Sequence, residues 1–142
     1  MIGRYIPPTD QKERSMNSTE SEVRAMFDQM YKAWADGDAA AFADHYTDDA
    51  TVVMPGVFHQ GREAVREYMA AGFAGPLKGS RAVDEPRDTR VHGDTAVIVS
   101  RAGIVMAGES EVSAEGERLA TWVLSRRDGR WLVAAYANAP AH

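Results

Sequence analysis

Residues 119–138 read LATWVLSRRDGRWLVAAYAN. Two runs rich in β-branched and aromatic residues flank Asp128-Gly129. That dipeptide suits a type I′ turn, whose two central positions both need positive φ. The stretch is therefore a β-hairpin, with strands over Leu119 to Arg126 and Trp131 to Asn138. Upstream, Thr95 to Met106 is another β-rich run, carrying Val97, Ile98, Val99, Ile104 and Val105. The polar loop Ala107 to Gly116 follows it, and the tight turn His92-Gly93-Asp94 precedes it. Ser80 to Val91 is a weaker strand. Pro86 within it argues for an edge position or a bulge, because proline cannot donate to a ladder.

The first half has the helical period instead. Thr19-Glu20-Ser21-Glu22 reads as a capping box with Thr19 as N-cap. Val23, Met26, Phe27, Met30, Tyr31 and Trp34 then recur on one face. Gly37 is a stop signal, and Asp38 is placed to cap a short second helix through Asp44, with His45 and Tyr46 near its end. Asp48-Asp49 reads as a turn, Ala50 to Met54 as a short strand, and Val57 to Gln60 as a small extended piece after Pro55-Gly56. A third helix runs from Arg62 to about Phe73, with Val65, Tyr68, Met69 and Phe73 on its buried face. Helices first and consecutive antiparallel strands afterwards indicate an α+β domain, with a cone-shaped curved antiparallel sheet packed on the N-terminal helices. One such domain is expected over residues 19–142. Residues 1–18 are read as a flexible N-terminal tail, since Pro7-Pro8 and the polar run after them offer little to bury.

Composition narrows the function classes. The net charge is −5, which disfavours nucleic acid and anionic membranes, because both recruit a positive field. There are no cysteines, so disulfides and zinc–thiolate sites are excluded. No apolar run reaches the roughly 18 residues that cross a bilayer, and the first twenty residues lack the apolar core of a secretory signal. A cytoplasmic protein without membrane attachment is expected. Arginine outnumbers lysine and alanine is abundant, as in GC-rich bacterial genomes.

Five stretches in order carry a resemblance to a known superfamily. They are Tyr31-Lys32-Ala33-Trp34-Ala35-Asp36-Gly37-Asp38, Tyr46-Thr47-Asp48-Asp49-Ala50, Gly61-Arg62-Glu63-Ala64-Val65, His92-Gly93-Asp94-Thr95-Ala96 and Asp128-Gly129-Arg130-Trp131-Leu132-Val133. Together they resemble the nuclear-transport-factor-2-like cone, also called a cystatin-like roll, and within it the SnoaL-like group. More narrowly, Tyr136-Ala137-Asn138-Ala139-Pro140 is similar to the C-terminal strand of the SgcJ/EcaC family, associated with enediyne antibiotic biosynthesis. Ala139 stands where that family usually has Thr or Ser. The resemblance implies a pocket for a polyketide-type intermediate, acid–base cyclisation, isomerisation or hydration without a cofactor, and an Asp or His in the cone that shuttles a proton.

No nucleophile elbow, phosphate loop or HExxH motif is present, and His45, His59, His92 and His142 are too dispersed for a metal site. No cofactor is expected. His59 is the proton-transfer candidate by residue type, because imidazole titrates near neutrality. Arg101, in mid-strand, either faces solvent or anchors a carbonyl, enolate or carboxylate. Trp34, Tyr46 and Tyr68 read as core aromatics or as walls for a flat ligand; Met54 and Phe58 join them as wall candidates. Trp122, Tyr136 and Asn138 are the candidates on the last two strands. Tyr136 and Asn138 share a face, but Trp131, Val133, Ala135 and Ala137 form the competing inward set, and parity does not choose between them. The expected partners are a hydrophobic small molecule and a second copy of the chain. A homodimer would form through an outer sheet face exposing Val99, Trp122 or Leu124. A pure carrier and a dimeric assembly domain are the alternatives to an enzyme.

Overall fold

The computed structural model describes the backbone from residue 8 and the side chains from residue 18 to 142. Tyr5 and Ile6, whose docking on a neighbour the tail reading allows, lie outside the described residues, as does the tail reading for residues 1–7. Helix α1 spans Pro8–Ala35. It is longer than the capping box predicts. Thr19 lies inside the helix, because Asp10-Gln11-Lys12-Glu13-Arg14 propagate it backwards and proline at the first position costs no hydrogen bond. Val23, Met26, Phe27, Met30 and Ala33 are its buried stripe. Gly37 ends the turn at φ 68, and its N–H reaches the Trp34 carbonyl at 2.9 Å. Helix α2, Ala39–Ala43, is capped as expected, with the Asp38 carboxylate accepting from the Ala41 N–H.

Strand β1 spans Tyr46–Met54, so Tyr46 opens a strand rather than closing a helix. Asp48 and Asp49 also lie within it. The turn they signal is an irregularity in the strand, where the register against the last strand shifts between Tyr46 and Thr51. β2 (Val57–Gln60) hairpins onto β1. Gly61 then turns at φ 94 into α3, Arg62–Ala74. A side chain there would meet the Asp48 carbonyl, so this corner needs glycine.

The remaining strands are β3 (Arg81–His92), β4 (Thr95–Val105), β5 (Arg118–Arg127) and β6 (Arg130–Pro140), with a short 3₁₀ turn at Ala114–Gly116. They form one meander. β3 is an edge strand with its irregularity at Pro86, as the proline predicts. Asp128 and Gly129 have φ of 53 and 74, the hairpin geometry expected. Sheet order is β2-β1-β6-β5-β4-β3. The sheet is not wholly antiparallel: β1 and β6 pair in parallel. The two lie some eighty residues apart in sequence, and no local signal specifies that pairing.

β6 carries a bulge. Val123 pairs with Ala135 and Leu124 with Val133, leaving Ala134 as the extra residue. A bulge resets the side-chain alternation. Trp131 and Val133 are therefore buried in the core, and Tyr136 and Asn138 also face inward. The two competing sets are each half right. Trp122 and Leu124 are buried at 4% and 0% exposure, which corrects their expected place on an outer face. That face instead presents Val53, Phe58 and Leu119. Among the described residues no helix is long and apolar enough to cross a membrane.

Gly103 on β4 supports a local prediction. A Cβ at this position would drive into the Val112 side chain of the loop folded over the strand. Gly103→Ala is expected to lose about 1–3 kcal/mol in a denaturant titration, and Val112→Ala in the same chain should restore most of it.

Candidate ligand cavity

The helices do not fill the cone. A cavity of about 430 Å³ remains between them and the concave face of the sheet, within the usual range for small-molecule sites. Each wall follows from an apolar periodicity. Tyr31 and Trp34 come from the last turns of α1, Val65, Tyr68 and Met69 from α3, and Tyr46, Val52 and Met54 from β1. Edge-on aromatic contacts tie α1 to α2 and α3 beside the cavity. Trp34 sets its ring 5.7 Å from both Phe42 and Phe73 in edge-on contacts. Its indole N–H is spent on the Ser80 hydroxyl at 3.0 Å, which donates on to the Leu77 carbonyl. Trp34 thus offers a ligand a face and no hydrogen bond. Tyr68, 41% exposed, lies where the cavity meets solvent.

Of the residues singled out from sequence, Trp34, Tyr46, Met54, His59, Tyr68, Trp122, Tyr136 and Asn138 all border the cavity. Phe58 and Arg101 do not. Phe58 is 64% exposed on the opposite face of β2, because it neighbours the inward His59 and strand side chains alternate. Arg101 is likewise out of phase with Ser100. Its Nε donates to Glu117 at 2.6 Å, and His142 lies beside it. Arg101 is therefore held at the Glu117 end of the sheet, away from the cavity.

The residue that sequence reading passed over is Asp84. Among the described residues it is the carboxylate bordering the cavity, on β3 beside Ala102 of β4. Ser100 Oγ donates to its Oδ2 at 2.7 Å, and Trp122 Nε1 divides its proton between that oxygen at 3.3 Å and Ser100 Oγ at 3.2 Å. The Tyr31 hydroxyl is a further hydrogen-bond partner. Burial raises the proton affinity of Asp84, and these three donors only partly offset the rise. Burial and the Asp84 charge together push the Tyr31 hydroxyl well above its ordinary pKa, so it stays protonated as a donor. Tyr46 and Tyr136 are raised by burial too.

Two polar atoms in the cavity wall are buried without a hydrogen-bond partner: His59 Nε2 and Asn138 Oδ1. The His59 ring packs 4.6 Å from Tyr68. A hollow lined mostly by apolar side chains, with a desolvated carboxyl on its wall, has the make-up of a small-molecule site.

An α+β cone with a hollow between helices and sheet defines the nuclear-transport-factor-2-like, or cystatin-like, class. Solved structures share it. A cystatin-like domain of unknown function from Nostoc punctiforme is 26% identical, covers 87% of this chain and 77% of its own, and superposes with a TM-score of 0.77. A nuclear-transport-factor-2-like protein from Novosphingobium aromaticivorans is 18% identical over 97% of this chain and 92% of its own, with a TM-score of 0.80. A function-unknown protein from Mycobacterium tuberculosis is 20% identical over 96% and 77%, with a TM-score of 0.76. No curated protein sequence matches the chain. The SnoaL-like domain family matches residues 23–138, and the chain belongs to that family.

Proposed function

We propose that the protein binds a flat, apolar, oxygenated ring compound and moves a proton on it, with Asp84 as the acid–base group. The supporting observation is a desolvated carboxyl, held by Ser100, Trp122 and Tyr31, on the wall of a largely apolar cavity. A raised carboxyl pKa brings proton uptake and release nearer to neutral pH, where acid–base catalysis is most effective. In the step envisaged, the Asp84 carboxylate takes a proton from the carbon beside a carbonyl. The C–H electron pair moves to form the enolate, and the proton returns at the same or a conjugated carbon. His59, with Nε2 unpaired, is the second group able to carry a proton. The substrate class we favour is a polyketide or enediyne-type intermediate of bacterial natural-product biosynthesis, handled in the cytoplasm without a cofactor. Deuterium wash-in from D₂O at the activated carbon of 2-tetralone, a bicyclic ketone with one aromatic ring, tests the chemistry. Acceleration over buffer supports proton transfer; tight binding without acceleration would make the protein a carrier.

The protein works, in this reading, as a homodimer. Val53 stands opposite Phe58 on one side and Ala137 on the other, and Leu119 opposite Ala139. This makes an apolar row on the convex face, with Val53 and Leu119 each 47% exposed. Light scattering at micromolar concentration should return a dimer mass for the native chain and a monomer mass for Val53→Asp. A native monomer would remove the dimer from the proposal.

A further inference from the structure

Tyr136 and Asn138 make a matched pair of polar groups on the β6 side of a mostly apolar cavity. Asn138 Nδ2 donates to Tyr136 Oη at 2.7 Å. The phenol oxygen has thereby accepted a bond and retains its own proton to give. The other end of the amide, Oδ1, is buried with no partner. Both residues line the cavity, and within this hydrogen-bonded unit one donor and one acceptor are left without a protein partner. Turning the amide over exchanges which group gives and which takes, and still leaves one of each. The bulge at Ala134 is what brings both side chains to the concave face. Trp122 packs 4.3 Å from the Tyr136 ring and limits where it can swing.

A buried acceptor left unmatched is costly. Asn138 Oδ1 is closed off from water, so only a group that reaches it with a donor satisfies it. Among the described residues no lysine or arginine borders the cavity, so an anionic group would sit beside Asp84 without a counter-charge from them. Resting on the ligand-cavity reading above, we propose that Tyr136 and Asn138 select a neutral flat molecule with a hydrogen-bond acceptor and donor side by side on one edge. A cis-amide has that edge. An ester, an ether or a carboxylate does not.

Three bicyclic probes of similar shape test this: naphthalene, coumarin and 2-quinolone. The last two differ only in a ring oxygen against a ring N–H. In NMR titrations of the full chain, the affinity ratio of 2-quinolone over coumarin is expected to fall about tenfold on Asn138→Leu, while naphthalene affinity stays within about twofold of native. Tyr136→Phe should weaken both carbonyl probes and spare naphthalene, which gives a second reading if the Asn138 variant folds poorly. An unchanged ratio in Asn138→Leu, with naphthalene still bound, would overturn the pair as a selector and leave the cavity reading standing. Failure of all three probes to bind the native chain would overturn both.

Discussion

Asp84→Asn is expected to slow proton exchange on a bound ketone by about a hundredfold to ten-thousandfold, the span that one positioned acid–base group contributes. The amide keeps the size of the carboxyl, and its oxygen still accepts from Ser100. Binding of naphthalene should be unchanged, so the loss falls on the chemical step. The same substitution has a stability signature of opposite sign. Burial makes Asp84 hold its proton more tightly when folded than when unfolded. Between the unfolded and the folded pKa the native state binds more protons than the unfolded one, so stability falls as pH rises through that window. Ionised Asp84 therefore costs the native chain about 1.4 kcal/mol for each tenfold rise in proton affinity. Asp84→Asn should melt higher than native at pH 8 and lose that advantage on acidification to pH 3. Calorimetry across this pH range reads the difference. Equal pH dependence in both chains would contradict a desolvated Asp84.

Trp122→Ala should have the largest effect on folding, about 3–5 kcal/mol by denaturant titration. The indole is 4% exposed, meets Phe27 edge-on at 4.9 Å and packs 4.3 Å from Tyr136. Its removal unpins α1 from the sheet and strips a donor from Asp84. Trp122→Phe separates the two roles. The ring contacts survive, so most of the stability should return. The lost N–H had been lowering the Asp84 pKa, so the pH profile of exchange should move upward. An unmoved profile in a folded Trp122→Phe chain would show that the indole only packs.

Much of the fold was legible because its cues are local. Asp128-Gly129 demands its turn, Asp38 caps its own helix, and the α1 stripe declares which face is buried. Eight of the ten candidate site residues border the cavity; for Trp34, Tyr46, Tyr68 and Trp122 the reason is local, since large aromatics on amphipathic elements end up inside, whereas Tyr136 and Asn138 owe their place to the bulge. The two that do not, Phe58 and Arg101, sit one step out of phase on strands, where a single position decides between core and solvent.

Asp84 went unread because Asp84-Glu85-Pro86 looks like a weak, solvated strand. A usable signal was the polar Ser100 at the inward phase of Ala96, Ile98 and Ala102, since a buried hydroxyl implies a partner across the sheet.

By itself, the chain of residues determined the elements, their order and the apolar stripes that build a cone. Those depend on interactions spanning a few residues. Only the tertiary structure decided the parallel union of β1 with β6, the bulge at Ala134 and the meeting of Asp84 with Ser100, Trp122 and Tyr31. The β1–β6 union depends on closing a long stretch of chain, the other two on the exact register between strands, and a shift of one residue there would turn the site inside out.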